Sequence, residues 1–273
     1  MQNILTEKGK TIILNTVGNP VLTNCYIPCH EIMDKIAAHE IICFCYERMV
    51  VLIHPENGIH KLYYFLSDMD ILISGVERNI QEDLGKYRNL VGTVVARLPD
   101  KNVEVLQKLG FTPYKEYIRK QMVSQKKDWC GTAQIVETAA ADDIQDIYQL
   151  LYGTFDIISD HLVSKEELGT LLGSCQVLKV CIDGALAGVL LFETFGKKSY
   201  LRSICVSEEF IGKKIGLTLL EEYIRRNQER TKLFYLWVES TNEKAIRLYE
   251  RFSYKDDGLR EYIYLYKDDL TTK

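Results

Sequence analysis

The sequence has few of the features that mark membrane, secreted or nucleic-acid-binding proteins. No apolar segment approaches the roughly 20 residues that a helix needs to span a bilayer. The first residues, MQNILTEKGKT, lack the apolar core of a signal peptide. The 34 basic residues are outnumbered by 38 acidic ones, and no basic run stands out. We therefore expect a cytoplasmic protein that binds neither membranes nor nucleic acid.

Cysteine is present, but without a pattern that gives it a function. The eight cysteines are scattered, and several stand inside apolar runs typical of strands, such as IICFCY and LKVCID. The tightest cluster, from Cys25 to Cys45, matches no common zinc spacing, because a C-x-C pair within a strand places both side chains on one face without the turn of a zinc knuckle. We expect buried, reduced thiols and no metal.

Length and composition allow one large or two small domains. The 273 residues are 47% hydrophobic, which is enough for substantial cores. The composition changes at SQKKDWCGT, so we predict an α/β domain over residues 1–126 and a second over 132–273. Strands and helices alternate in both halves, which favours an α/β fold with a mixed sheet.

The first half begins with a loop-rich segment and a short helix from Glu31 to Ala38. Three strands are predicted in IICFCYERMVVLIHPENGIHKLYYFLSD, with turns at ER and at PENG. A helix (DMDILISGVERNIQED), a strand (LVGTVVARLPD), a helix (NVEVLQKLGF) and a strand (TPYKEYIRKQMV) follow. In the second half, Ser164 and Glu167 predict a capping box, and Asp183-Gly184 predicts a hairpin turn.

The stretch from Ile204 to Gly216, ICVSEEFIGKKIG, predicts a strand, a short connection and a glycine-containing turn that opens a helix. Gly212 and Gly216 would let a ligand approach the main chain, and the start of a helix favours negative charge. Lys213 and Lys214 add positive charge. The pattern indicates a phosphate site, although a solvated loop before an ordinary helix would have the same spacing.

A second pattern follows in LWVESTNEKAIRLYERFSY, where an apolar strand leads to Asn242 and then to a helix that contains Tyr249. With the first pattern, this gives a βαβα order with a polar residue at the carboxyl end of each strand, where ligands of open sheets bind. Without further context, Tyr249 would be an ordinary tyrosine of an amphipathic helix.

Residues 132–270 resemble a GNAT-type N-acetyltransferase. That family has a strand ending in valine, then Q/R-x-x-G-x-G/A, then N-x-x-A-x-x-x-Y near a closing Gly-Phe. Gly216, Asn242 and Tyr249 match this pattern. Ile211 stands where Arg or Gln is usual, Lys214 where the first glycine is usual, and Ser253-Tyr254 where Gly-Phe is usual.

The resemblance implies a GNAT acyl-CoA N-acyltransferase fold and acetyl-CoA as cosubstrate, bound through the segments already described. Its implied contacts are Ile204, Cys205, Val206, Gly212, Lys213, Lys214, Ile215, Gly216, Leu217 and Asn242. It also implies that a main-chain N–H of the strand meets the thioester oxygen and that Tyr249 protonates the leaving thiolate.

The residue that takes the proton of the acceptor amine is not identified by the sequence. Glu193 and Glu239 could act through water, and the loop residues Asp156, Asp160 and His161 could meet a cationic amine. Each has an ordinary explanation as a solvated or capping residue. An amine already deprotonated in water would need no base.

The first half has a similar order of elements, so we expect two tandem GNAT-like lobes. VEVLQKLGFTPYKEYIRKQMV aligns with AIRLYERFSYKDDGLREYIYLYK. Leu106 then stands in the place of Tyr249 and Pro99 in that of Asn242, and the glycine turn is missing. We therefore expect the first lobe to be degenerate and to lack a CoA site; an unrelated α/β domain is the alternative.

Two functions follow from these residues. One is an acetyl-CoA-dependent N-acetyltransferase that acts on a primary amine of a small molecule or protein. The other is a non-catalytic CoA-binding or regulatory module, favoured by Ile211 and Lys214. Aminoacyl transfer from tRNA by such a tandem protein is disfavoured by the acidic composition. A homodimer is compatible with the sequence, which does not specify oligomeric state.

Overall fold

The structure is a computed structural model that describes residues 5–14, 22–72, 76–97, 101–124 and 135–266. The described elements of the first half are α1 (Glu7–Leu14), β1 (Leu22–Thr23), α2 (Cys29–Ala37), β2 (Ile42–Cys45), β3 (Met49–Glu56), β4 (Ile59–Leu66), α3 (Val76–Leu84), β5 (Leu90–Ala96), α4 (Lys101–Lys108) and β6 (Phe111–Val123). Those of the second half are β7 (Glu137–Thr138), α5 (Ile144–Thr154), α6 (Lys165–Gly173), β8 (Val177–Ile182), β9 (Ala185–Phe195), β10 (Lys198–Val206), α7 (Ile215–Asn227), β11 (Leu233–Glu239), α8 (Glu243–Arg251) and β12 (Lys255–Tyr266).

The predicted order of elements is confirmed with three local corrections, the first being the two-residue strand β1 in the segment predicted to be loop-rich. Helix α1 lies in the segment that we predicted to be loop-rich; it is short, and its first turn is fixed by a hydrogen bond from Gly9 N–H to Thr6 Oγ1 (3.1 Å). The single helix predicted from DMDILISG onward is instead a 3₁₀ turn at Met69–Leu72 and then α3. Residues 73–75 lie outside the described part.

The chain divides into two compact units. The first contains residues up to Glu116 together with those from Leu259 onward, and the second runs from Tyr117 to Gly258. Strands β6 and β12 are therefore each divided between the two units. The domain boundaries predicted at 126 and 132, and Pro99, lie outside the described residues, so the division into domains 1–126 and 132–273 stays a prediction.

The first unit is a sheet with helices on both faces. Its strands lie in the order β2-β3-β4-β5-β12, with β1 beside β4. Strand β3 is buried on both sides: Val51 packs in the same core cluster as Leu106 of α4, and Leu52 packs in the cluster that contains Ile13 of α1 and Ile32 of α2. Leu106 is fully buried, as expected for a residue that only contributes to the core.

The second unit repeats this layered arrangement. From the second half of β6, its strands lie in the order β6-β11-β10-β9-β8-β7. Alternate residues of β9 face opposite sides: Leu190 packs in a cluster with Leu219 of α7, and Leu191 in a cluster with Leu168 of α6. The predicted capping box of α6 is present, since Glu167 N–H donates to Ser164 Oγ at 3.1 Å. No helix in the described residues is long and apolar enough to cross a bilayer.

Candidate active site

Strand β10 is paired with two strands over its first residues and with one strand over its last residues. Its parallel pairing with β11 stops at Leu201 and Leu236. On its other side, β10 stays paired with β9 as far as Val206, with a register shift between Leu201 and Ser203. Within the described part of the chain, the predicted segment Ile204–Val206 therefore has one edge without a paired strand. Such an edge can bind an extended ligand through main-chain hydrogen bonds.

The side chains of this segment serve packing. Ile204 and Val206 are half-buried against the main core of the second unit. Cys205 is only 5% exposed, and burial raises the pKa of its thiol to about 12. A thiol that stays protonated is a poor nucleophile, so the structure agrees with the sequence in giving Cys205 a packing role.

The connection from β10 to α7 ends in a left-handed residue. Lys214 has φ +61° and precedes the first helical residue, and Gly212 has φ +88°. The first N–H to bond back is that of Thr218, which donates to Lys214 O at 3.0 Å. The amide N–H groups of Ile215–Leu217 precede this bond and therefore have no acceptor within the helix. Free amide N–H groups at a helix start can bind an anion, and the phosphate site that the sequence predicts here stays a prediction.

Gly212 and Gly216 are explained by different features of the structure. A Cβ atom added to Gly212 would meet nothing within 4 Å, so only its positive φ requires glycine. A Cβ added to Gly216 would make ordinary contacts with Val206 Cγ2 (3.7 Å) and Leu248 Cδ2 (4.0 Å). Neither the backbone conformation at position 216 nor the packing around it requires a glycine. The approach of a ligand would explain why a glycine is present there.

The charges around the turn are mixed. Lys213 and Lys214 are exposed, but so are Glu208 and Glu209 in the preceding short helix. The four side chains cancel in formal charge, so the attraction for an anion must come mainly from the main chain and the helix dipole. Ile211 is 57% exposed and has no polar group with which to replace the Arg or Gln of the resembled family.

Gly188 is a positioning residue that the sequence did not single out. It pairs with Val206 across β9 and β10. A Cβ at this position would lie 2.7 Å from Ile215 Cγ2 and 2.9 Å from the carbonyl oxygen of Cys205. The glycine thus allows the start of α7 to sit close against the two strands. A glycine inside the apolar run ALAGVLLF was the available signal, because glycine in a strand often marks a close approach.

Asn242 is the N-cap of α8. Its side-chain oxygen accepts a hydrogen bond from Ala245 N–H at 3.1 Å, which explains an asparagine at this position. The side chain is exposed, and among the described residues nothing accepts a hydrogen bond from its NH₂ group. The cap therefore leaves the amide donor free to meet a ligand.

Tyr249 lies in the core cluster that also holds Ile215 at the start of α7 and, on its margin, Val206 at the end of β10. It is 5% exposed, and burial raises the pKa of its phenol well above the usual value. The phenol is therefore protonated at neutral pH and can donate a hydrogen bond. The ring of Tyr254 is 5.9 Å away between centroids.

The two strand carboxylates named as candidate bases are already engaged. Glu193 Oε1 is 2.7 Å from an Arg202 nitrogen, so the two side chains form an ion pair. Glu239 Oε1 accepts a hydrogen bond from Thr241 Oγ1 at 2.7 Å. Both carboxylates therefore already have polar partners within the chain, and their role as a base stays a prediction.

The loop between α5 and α6 uses its acids to hold its own shape. Tyr117 hydroxyl donates to Asp160 Oδ1 at 2.7 Å, and Ser159 hydroxyl donates to Asp156 Oδ2 at 3.0 Å. The other oxygen of Asp160 accepts from Asp156 N–H at 2.8 Å. These bonds account for both carboxylates, so their role in acceptor binding, like that of His161, stays a prediction. Within the described residues, no group of three or more His, Cys, Asp or Glu side chains is arranged for a metal ion.

Comparison with known proteins agrees with this geometry. Residues 142–254 match the model of the acetyltransferase (GNAT) family. No curated protein matches the chain by sequence.

Solved structures are similar in fold over most of the chain. A GCN5-related N-acetyltransferase from Sphaerobacter thermophilus has a TM-score of 0.56 at 14% identity, over 88% of this chain and 85% of that one. A tandem GNAT protein from the clavulanic acid biosynthesis pathway has a TM-score of 0.55 at 12% identity, over 93% and 91%. A GNAT-family acetyltransferase from Colwellia psychrerythraea has a TM-score of 0.54 at 11% identity, over 96% of each chain.

At such low identity these structures establish the fold alone. They confirm the predicted α/β fold with a mixed sheet, and the tandem neighbour supports two lobes. The family match covers the turn, α7, Asn242 and Tyr249. Residues 142–254 of this chain therefore match the acetyltransferase (GNAT) family, and the fold resembles GNAT structures, one of them a tandem protein.

Proposed function

We propose that the protein is an N-acetyltransferase that moves the acetyl group of acetyl-CoA to a primary amine of a small molecule or protein. The observation that supports this most is the start of α7. There Lys214 adopts the left-handed conformation that a glycine would adopt, and three amide N–H groups lack an acceptor in the helix. Lys214 stands at the position of the motif's first glycine, and its backbone has the conformation that a glycine would have there.

The residues present fit acetyl-CoA, which supplies an activated acetyl thioester when bound. The main chain from Gly212 to Leu217 would hold the diphosphate, and Lys213 and Lys214 would add charge to it. The open space at Gly216 suits this, since a Cβ there meets no close contact from the chain itself. The NH₂ group of Asn242 would donate a further hydrogen bond.

The unpaired edge of β10 would hold the extended part of the cosubstrate. A main-chain N–H of Ile204–Val206 would donate to the thioester oxygen and stabilise the negative charge that develops there during attack. Because the strand is fixed on its other side by β9, this donor is already in place and needs little reorganisation.

Tyr249 would act on the leaving sulfur. Its phenol keeps its proton at neutral pH, because burial raises its pKa. The same shift makes full transfer to a thiolate, whose conjugate acid has a pKa of about 8.5, unfavourable at equilibrium. We therefore assign Tyr249 the role of stabilising the developing thiolate by a hydrogen bond and delivering the proton as charge builds up.

The amine must attack in its neutral form. Glu193 is paired with Arg202, and Glu239 is bonded to Thr241, so the proposal relies on neither as a base. An amine that loses its proton in bulk water can attack directly, and the pH dependence of the rate would then follow the amine rather than the enzyme.

The test is an assay for free thiol release from acetyl-CoA, over a panel of amines, with the wild-type chain and Tyr249→Phe. We expect turnover in the wild type and a fall in kcat of about a hundredfold or more in the variant, the usual contribution of a general acid. Saturable CoA binding with no thiol release across the panel would favour the non-catalytic module.

A matched control makes the same substitution at a neighbouring ring. Tyr254→Phe also removes a buried hydroxyl, 5.9 Å from Tyr249 between ring centroids, but from a residue that we place outside the site. It should keep wild-type turnover. An equal loss of turnover in both variants would indicate disturbed packing and count against a chemical role for Tyr249.

A further inference from the structure

Two cysteines of the first unit lie side by side on the edge strand β2. Cys43 and Cys45 are two residues apart and point to the same face, with their sulfurs 3.8 Å apart. Strand β2 pairs only with β3 among the described strands, where Cys43 is opposite Leu52 and Cys45 opposite Val50. Cys43 is 1% exposed, whereas Cys45 is half-buried and therefore reachable from solvent.

The sulfur of Cys45 also touches the first turn of α1. A Cβ added to Gly9 would lie 2.6 Å from Cys45 Sγ, so only a glycine allows the helix to approach so closely. The hydrogen bonds that favour a thiolate come first from the Cys43 thiol and then from the backbone and side chain of Thr6. They lower the pKa of Cys45 to about 6. The same Cys43–Cys45 contact raises the pKa of Cys43.

Two other thiols of the same core cluster, Cys25 and Cys29, have different contacts. Burial raises the pKa of Cys25 to about 11. Cys29 Sγ lies 3.6 Å from the carbonyl oxygen of Ile13, to which it donates. The pKa of Cys25 is thus shifted in the direction opposite to that of Cys45, whose sulfur lies 3.8 Å from a second thiol.

We propose that Cys43 and Cys45 form a redox-active dithiol that reacts with hydroperoxides. The Cys45 thiolate attacks one oxygen of the peroxide, the O–O bond breaks, and Cys45 becomes a sulfenic acid while the other oxygen leaves as an alcohol or water after taking a proton. The Cys43 thiol then attacks the sulfenic sulfur, a disulfide forms, and water leaves. Two electrons pass from the dithiol to the peroxide.

The position of the two cysteines on an edge strand determines how strained the disulfide is and how readily it is reduced. Residues two apart in a strand have Cα atoms about 6.6–6.8 Å apart, which is at the upper end of the range that a disulfide spans, about 4.4–6.8 Å. The strand must shorten slightly for closure, which an edge strand permits because it is hydrogen-bonded on one side only. A strained disulfide is readily reduced, so we expect the oxidation to be reversible by a small dithiol.

The sequence provides a clean experiment on the full wild-type chain. Trypsin cuts after Lys35 and Arg48, so Cys43 and Cys45 are the only cysteines of their peptide, while Cys25 and Cys29 share the preceding one. The reduced protein is treated with stoichiometric hydrogen peroxide at pH 7, alkylated, digested and analysed by mass spectrometry. We expect the peptide of Cys43 and Cys45 to be unalkylated and internally cross-linked, and to carry two alkyl groups after reduction with dithiothreitol and a second alkylation.

The internal control is the peptide of Cys25 and Cys29, which should stay fully alkylated. In brief alkylation of the untreated native protein, Cys45 should react at least about tenfold faster than Cys25, because its thiolate fraction is far larger. In Cys43→Ser, a dimedone probe should label Cys45, since the sulfenic acid has no partner thiol. Full alkylation of the Cys43 and Cys45 peptide after peroxide, or oxidation of Cys45 to sulfinic acid without a cross-link, would overturn the proposal.

Discussion

Thr218 N–H donates to Lys214 O at 3.0 Å, and Lys214 itself has a left-handed backbone. This hydrogen bond marks where α7 begins, and the three preceding amides have no acceptor within the helix. A lysine can hold this conformation only at a cost in free energy, since its Cβ crowds the following carbonyl. The site thus keeps the backbone shape of a glycine-containing phosphate turn without the glycine.

The first prediction concerns the free-energy cost of the left-handed backbone conformation at Lys214. Lys214→Gly and Lys214→Ala both remove the charge, but only glycine removes the Cβ. We expect the glycine variant to have a free energy of unfolding about 1 kcal/mol higher than the alanine variant, after allowing for the larger entropy that glycine loses on folding. Denaturant unfolding of the two proteins measures the difference, and equal stability would mean that Lys214 is not left-handed in solution.

The second prediction separates ligand approach from packing at Gly216. Because an added Cβ makes only ordinary contacts, Gly216→Ala should leave the free energy of unfolding unchanged or raise it by up to about 1 kcal/mol, as expected when alanine replaces glycine in a helix. The same methyl group would stand in the space of the diphosphate. We expect the Kd for CoA, measured by calorimetry, to rise about tenfold or more, which corresponds to about 1.4 kcal/mol.

The matched control for Gly216→Ala is Gly169→Ala. Gly169 lies within α6, where an added Cβ would come no closer than 3.9 Å to Ile144 Cδ1. This variant should gain similar stability and bind CoA as the wild type does. Unchanged CoA affinity in both glycine variants would show that the cosubstrate does not approach position 216.

The third prediction separates the capping of α8 by Asn242 from its proposed hydrogen bond to CoA. Asn242→Asp keeps the oxygen that caps α8 but replaces the NH₂ donor with a second acceptor. Its free energy of unfolding should stay within about 0.5 kcal/mol of the wild type, whereas Asn242→Ala should lose about 1 kcal/mol. CoA affinity should fall about tenfold or more in both. Wild-type affinity in Asn242→Asp would leave Asn242 with the cap as its only function.

The fourth prediction concerns a hydroxyl without a partner. Tyr254 is 1% exposed, and its hydroxyl makes no hydrogen bond among the described residues. A buried unsatisfied polar group costs about 1–3 kcal/mol, so Tyr254→Phe should raise the free energy of unfolding by about 1 kcal/mol. The control is Tyr223→Phe: its hydroxyl lies 2.6 Å from Ser199 Oγ, so this change should destabilise the protein. Destabilisation by Tyr254→Phe would reveal a partner for its hydroxyl.

The order of strands and helices could be predicted because it depends on local periodicity and turn residues. The hairpin at Asp183-Gly184 has positive φ at both residues, and the cap at Ser164 has the predicted geometry. The turn at the start of α7 could be predicted from its glycines and the strand before it, while its role in binding phosphate stays a prediction. These features are encoded within a few neighbouring residues, which one sequence displays directly.

Other features depend on contacts between distant parts of the chain. The short distance from Gly188 to Ile215 of α7 joins positions 27 residues apart, so the sequence can suggest a close approach at that glycine but not its partner. The left-handed state of Lys214 contradicts its local preference and is imposed by the surrounding structure. The inclusion of residues from Leu259 onward in the first unit likewise follows from sheet pairing with β5 and not from the order of elements.

The most direct test of the account is a calorimetric titration of the full chain with CoA and with pantetheine, run beside hydrogen exchange of the same samples. We predict saturable heat with CoA, slower exchange at residues 212–219, and binding of pantetheine at least about tenfold weaker, because it lacks the diphosphate. Absence of heat with CoA, or binding that leaves the exchange of this segment unchanged, would contradict the claim that the start of α7 holds the diphosphate.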